Sequence, residues 1–196
     1  MELIENAVPE KDVVLAEFNA LRAEIIARQA SAQGLLSIQL TAAGALFSLA
    51  LSGAGRAAVL LVLPLITYML AGRAVAHSYA CLSIGTYIRT QLSPRVSGGL
   101  GWEQWIRSHR SSPKQYRGLD PQLISFPGIS ILALLGSFPF LASQKLSVTA
   151  VMLWTAWLIG AVLAGSSARL VWKIRSDSFL LLGPAPAVGH EPDGTP

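Results

Sequence analysis

Four predominantly apolar runs alternate with polar and charged stretches along the chain. They are GLLSIQLTAAGALFSLALSG (34–53), AAVLLVLPLITYMLAGRAVA (57–76), QLISFPGISILALLGSFPFLA (122–142) and VTAVMLWTAWLIGAVLAGSSA (148–168). A helix of about 20 apolar residues crosses about 30 Å of hydrocarbon. No charge interrupts the central part of any run. The pattern predicts an all-α membrane protein with four transmembrane helices, and disfavours a soluble bundle of buried helices.

The connections predict how the runs pair. Only Ala54, Gly55 and Arg56 separate the first two, and SQKLS separates the last two. Each pair is therefore expected to form a tight antiparallel hairpin, spanning 34–76 and 122–168, with both turns on the same side.

A second periodicity lies outside the runs. In VVLAEFNALRAEIIARQASAQ, Val14, Phe18, Leu21 and Ile25 recur at spacings of 4, 3 and 4, which is one face of a helix. Glu24 stands four residues before Arg28, the favourable order for a helical ion pair. No Pro or Gly follows until Gly34, so this amphipathic helix (1–33) is expected to run into the first span. After the second span, HSYACLSIGTYIRTQLS stays helix-compatible up to Pro94, with Cys81, Ile84, Ile88 and Leu92 on one stripe. Two apolar-striped stalks entering neighbouring spans are expected to pack together in a coiled-coil-like way. The alternative is that each stripe lies on the membrane surface.

Charge then orients the whole. The two short turns hold Arg56 and Lys145 alone, whereas the other thirteen lysines and arginines fall in the N-terminal segment, around 73–117, or after the last span. By the positive-inside rule, both termini and the 77–121 segment belong in the cytoplasm. Composition agrees: 13% of residues are charged and 52% hydrophobic, too few charges to coat a soluble surface. The formal charge of +4 then reports orientation and attraction to anionic lipid rather than to nucleic acid. MELIENAVPEKD is acidic and no apolar core follows it directly, so no cleaved signal peptide is expected.

Between the second and third runs lies SGGLGWEQWIRSHR (97–110). Trp102, Trp105 and Ile106 share one side of a short segment, and Arg107 and Arg110 reach phosphates from it. Tryptophan at headgroup level and bases on an anionic leaflet are both favourable. Trp102, Trp105, Arg107 and Arg110, with Trp172 after the last span, are therefore candidate lipid-interface residues. A nucleic-acid patch is disfavoured because the segment is short and lies beside a bilayer. The region 169–196 reads as a basic end followed by a Pro- and Gly-rich disordered tail.

Catalytic chemistry is not indicated. His77, His109 and His190 are scattered without metal-ligand spacing, and no Asp or Glu enters a span. Cys81, the single cysteine, reads as a packing residue on its stripe. No catalytic residue, metal site or cofactor is expected. The spans instead carry small residues at helical spacing, which permit close helix approach: Gly44, Ser48 and Ser52 in the first, and Gly160, Ala161, Ala164 and Gly165 in the fourth. Gln39, Thr41, Thr67 and Tyr68 are polar residues suited to interhelical hydrogen bonds, or to lining a narrow path. Pro64, Pro127 and Pro139 are expected to bend their helices.

A cytosolic helix leading into a two-span hairpin and then a further cytosolic helix, over residues 10–93, resembles the SLATT-type membrane modules of bacterial conflict systems. YIRTQLSPR followed by GWEQWIR is also similar to a pattern in small bacterial integral membrane proteins. The first resemblance implies a pore-forming effector role, from which the second hairpin departs. The second implies a bacterial inner membrane. The expected function is therefore an inner-membrane protein that self-associates and couples to a cytoplasmic protein partner or signal, gating a pore. A non-conducting scaffold of the same topology is the alternative.

Orientation is directly testable. Ala54→Cys and Ser143→Cys, each in a Cys81→Ser background, are expected to react with a membrane-impermeant maleimide added outside intact cells. Ser112→Cys should stay unlabelled until the membrane is opened, and the reverse pattern would invert the topology.

Overall fold

The computed structural model describes residues 10–53, 55–96 and 124–181. Regular structure among them is entirely helical, with four long helices: α1 (Glu10–Leu51), α2 (Leu63–Tyr87), α3 (Ile129–Ala142) and α4 (Val148–Leu181). Short turns extend α2 and α3. Counting these, four stretches are long and apolar enough to cross a membrane: Lys11–Leu51, Arg56–Arg95, Ser125–Ala142 and Val148–Ile174.

α1 is continuous over 42 residues. At 1.5 Å per residue it measures about 63 Å, roughly twice the hydrocarbon thickness of a bilayer. Its length follows from its sequence, because no proline enters it and helix formers fill its exposed positions.

The second stretch is a composite. Arg56–Val62 forms 3-10 turns, and α geometry begins at Leu63. Pro64 accounts for the change. It has no N–H to offer the Leu60 carbonyl four residues back, and the Leu63 N–H bonds that carbonyl instead. Pro64 thus stands in the first turn of α2, where a missing donor costs little. Beyond Tyr87 the helix loosens into a π turn (Ile88–Leu92) and tightens again over Ser93–Arg95, which contains Pro94. Val96 is extended, so the helix ends there.

Pro127 lies in a π turn, Ile124–Gly128, that leads into α3, and Pro139 lies inside α3. α4 continues to Leu181, well past the apolar run 148–168, so Trp172 and Lys173 are helical. The Pro- and Gly-rich residues from 182 onward, and the segment holding Trp102, Trp105, Arg107 and Arg110, lie outside the described residues.

α1 and α2 run antiparallel, as their contacts show. Glu17 meets Tyr87, Ile25 meets Cys81 and Gln39 meets Thr67, so one partner's number falls as the other's rises. Apolar contacts follow the same order. Val14 packs with Ile88 and Leu92, then Leu35 and Leu36 with Ala71, Ala74 and Phe126, then Ala43 with Leu60, Leu63 and Ala133. α4 meets α3 through Trp157 and α2 through Gly160. The most apolar windows of the Arg56–Arg95 and Ser125–Ala142 stretches are 39% buried, against 11% for α1 and 17% for α4. The former two are therefore central and α1 and α4 flank them.

The outer faces carry Ile38, Leu40, Leu65, Met69, Leu132, Leu135, Leu158 and Val162, all exposed. So continuous an apolar coat suits hydrocarbon better than water. The interior mixes small residues with large ones: Ala43, Ala71, Ala74, Ala133 and Ala164 are buried, as are Ser130, Ser137 and Ser167, beside Leu60, Leu63, Phe126, Leu134 and Leu141. Of the described glycines, Gly160 has the tightest surroundings. A Cβ there would stand 3.1 Å from Leu134 Cδ2 and 3.2 Å from Pro64 Cγ.

Gly160 thus limits how near α4 can come to α2 and α3. Gly160→Leu is expected to lower stability by about 1–3 kcal/mol through overpacking, read from thermal unfolding in detergent. Gly34→Leu, at an exposed position on α1 with no described atom within 4 Å, should stay within about 0.5 kcal/mol of the parent. Equal effects at the two sites would contradict this packing.

Candidate functional site

Polar chemistry converges between the helices at two levels. At the first, Gln39 is fully buried and reaches two other elements. Its amide Nε2 donates to the Ser125 carbonyl at 2.7 Å and approaches Thr67 Oγ1 at 3.5 Å. One side chain therefore ties α1 to α2 and to the turn before α3. Phe126, next to Ser125 in the chain, is fully buried on Ala71 and Ala74. Gln39 Oε1 and His77 Nδ1 are buried without a hydrogen-bond partner among the described residues. Thr41, in contrast, is exposed and its hydroxyl donates back to the Ser37 carbonyl. Tyr68 is exposed as well, away from the node.

The remaining buried hydroxyls serve their own helices. Ser130 donates to the Phe126 carbonyl, Ser137 to Leu134 and Ser167 to Ala164. Such back-bonding satisfies the hydroxyl without presenting it to a path between helices. Trp157 adds a further tie. Its indole Nε1–H donates to the Leu134 carbonyl at 3.1 Å, and its ring packs with Phe138 and Trp154 at centroid distances of 6.2 and 6.1 Å. From sequence Trp157 reads, with Trp154, as part of an outer aromatic belt and not as this α3–α4 clamp, since the acceptor is a backbone carbonyl 23 residues away.

At the second level, all eight stripe residues lie between α1 and the Leu63–Leu92 helix. Val14, Ile88 and Leu92 are buried, with Phe18, Leu21, Ile25 and Ile84 packed around them. Cys81 sits beside Ile25, its sulfur 4.0 Å from the Ile25 carbonyl. Burial pushes the Cys81 thiol above its ordinary value, nearby Arg28 opposes this and Glu24 adds to it. A raised thiol stays protonated at neutral pH, which suits packing and not nucleophilic attack. The far end is pinned by Tyr87, whose hydroxyl donates to Glu17 Oε1 at 2.7 Å. That bond, with smaller contributions from desolvation and the Glu17 charge, raises the phenol above its ordinary value. Its contribution to stability is thus complete below the ordinary phenol range and is lost as pH rises through the raised value. Glu24 pairs with Arg28 on the exposed side of α1.

The small residues separate into two groups. Gly160 and Ala164 are buried and Ala161 half-buried, within the chain's own packing. Gly44, Ser48, Ser52 and Gly165 are exposed, and among the described residues no atom lies within 4 Å of a Cβ built on Gly44 or Gly165. The Ser52 hydroxyl accepts from Arg56 Nη1 at 2.8 Å. Trp172 is 66% exposed on α4. No group of three or more metal-ligating side chains occurs among the described residues. Compared with known protein families, curated proteins and solved structures, the chain matches none.

The Val14–Ile88–Leu92 cluster gives the sharpest test of this level. Ile88→Asp would bury a carboxylate without a partner and should destabilise the α1–α2 pair by several kcal/mol. Thr90→Asp, at an exposed neighbouring position, should cost within about 0.5 kcal/mol. Limited proteolysis of the purified protein would report the difference as cleavage within 14–25 or 84–95. Equal resistance in both variants would mean that this cluster does not hold the ends together.

Proposed function

We propose that the chain is a multi-pass inner-membrane protein with two tight transmembrane hairpins, its termini and the 77–121 segment lying in the cytoplasm. It acts as a membrane-anchored coupling module. The paired stalks engage a cytoplasmic protein or signal, and the spans respond by changing how copies of the chain associate. The observation that carries this reading is the unbroken register of α1 against α2, from Glu17–Tyr87 through Gln39–Thr67 to the Ala43–Leu63 cluster. Two stiff helices packed over such a length transmit a displacement at one end to the other. The distribution of lysine and arginine supports the orientation.

Self-association uses the exposed row Gly44, Ser48 and Ser52 on α1, where no described residue fills the space beside Gly44. A pore through one chain draws less support. Ser130, Ser137 and Ser167 bond to their own helices, and Gln39 bonds across to Ser125. The non-conducting reading is the one these hydrogen bonds favour.

The test locks the stalks. Val14→Cys with Leu92→Cys, in a Cys81→Ser background, is joined by a short bis-maleimide in liposomes. Energy transfer between copies carrying different C-terminal fluorophores is expected to change at least two-fold on locking, with ion flux at the level of empty vesicles throughout. Transfer indifferent to locking would overturn the coupling, and conductance by the unmodified protein would overturn the non-conducting reading.

A further inference from the structure

A groove of about 230 Å³ opens between α2 and α4, lined by Tyr68, Ser166, Arg169, Leu170 and Lys173. Ser166, Arg169 and Lys173 follow one another at spacings of 3 and 4, so they share one face of α4. Neither Arg169 nor Lys173 makes an ion pair among the described residues. Two cations and two hydroxyls thus converge on one exposed recess. An arginine fork, an ammonium and hydroxyl donors are the set that binds phosphate oxygens.

The same face continues past the groove. Val162 and Leu158 precede Ser166 by one and two turns and are 68% and 59% exposed. On α2, Leu65 precedes Tyr68 by three residues and is 51% exposed. An apolar track therefore leads into a cationic end. A free inorganic anion would use only that end, whereas a phospholipid uses both. Basic pockets between transmembrane helices at the cytoplasmic interface suit anionic headgroups.

We propose that the α2–α4 groove binds the phosphate headgroup of an anionic phospholipid, with an acyl chain along Leu158 and Val162. This rests on the membrane reading above but on neither the coupling nor the stalks. Arg169 and Lys173 bind the phosphate, Tyr68 and Ser166 donate hydrogen bonds to its oxygens, and Leu170 covers the glycerol side.

The test uses the full chain purified in neutral detergent. Titration with phosphatidylglycerol is expected to raise the unfolding temperature saturably. Phosphatidylcholine should give no saturable shift, and neither should inorganic phosphate at the same concentration. Arg169→Gln with Lys173→Gln should weaken the phosphatidylglycerol response at least five-fold while leaving the lipid-free unfolding temperature unchanged, since both side chains are exposed. Arg169→Lys keeps the charge but loses the fork, and should weaken it two- to five-fold. Arg22→Gln, an exposed base on α1 outside the groove, should leave it unchanged. An unaltered response in the double variant would overturn the site, as would an equal response to phosphatidylcholine. An equal response to inorganic phosphate would reduce it to an anion site without a lipid. The impermeant labelling pattern tests insertion independently, so a protein that inserts normally but ignores lipid charge refutes the groove alone.

Discussion

A 42-residue helix cannot be contained in a bilayer. At about 63 Å it exceeds the hydrocarbon by roughly 30 Å, and its partner, the 40-residue stretch Arg56–Arg95, exceeds it by nearly as much. On the proposed topology one helix pair must therefore be stable in two solvents. In water, burying large apolar side chains drives association. In lipid that force is absent, because the surrounding chains are as apolar as leucine, and close packing takes over. The α1–α2 interface changes composition accordingly. Its N-terminal end packs Val14, Phe18, Leu21 and Ile25 against Ile84, Ile88 and Leu92. In the region of the spans alanines enter the contacts, Ala43, Ala71 and Ala74 with Ala133 of α3, beside Leu35, Leu60, Leu63 and Phe126. Alanines among the large side chains are what close packing in hydrocarbon calls for.

Apolar contacts of this kind hold helices close but specify register weakly, since one alanine or leucine packs much like the next. Gln39 supplies the missing specificity. Its bond to the Ser125 carbonyl and its approach to Thr67 are available at one axial setting of α1. A slip by one turn would leave its amide among apolar groups, at a cost of order a few kcal/mol. Buried polar residues that fix register in coiled coils work by the same asymmetry. Gly160 complements it on the other side of α2, because the contact with Pro64 and Leu134 tolerates no side chain without displacement. Gln39 and Gly160 thus act on the setting of the bundle together with the Trp157–Leu134 and Tyr87–Glu17 bonds.

The helices and their stripes were legible in the sequence because 3.6-residue periodicity and apolar length are local properties. Val14 to Ile25 and Cys81 to Leu92 could be read as faces from their spacing alone. What the stripes touch is not local. The sequence marks Gly160 and Ala164 as small, and their partners Pro64 and Leu134 emerge only from the packing. Gly44 and Ser48 carry the same pattern, yet they face outward. A proline in an apolar run looks interior from sequence, and the change from 3-10 to α geometry at Pro64 emerges only from the fold. The α2–α4 groove was missed for a related reason. Tyr68 and Arg169 lie about a hundred residues apart, and Arg169 enters the sequence argument only as one base among thirteen.

That count treats every base alike, and the fold separates them. Arg22 stands on an exposed face of α1, where a charge reports orientation and little else. Arg169 and Lys173 share a recess with two hydroxyls. The wall of that recess is α2, the helix that also carries Thr67 toward Gln39 and, 19 residues beyond Tyr68, Tyr87 toward Glu17. About 28 Å of continuous helix separates the groove from the Tyr87 contact. A ligand that prefers one spacing of α2 and α4 would bias the position of α2. Any partner that moves the Tyr87 end would then alter affinity in the groove by the same factor, because coupling between two sites is reciprocal. Lipid composition and a cytoplasmic signal would thereby act on one shared element, and α2 is the helix through which each would be felt by the other.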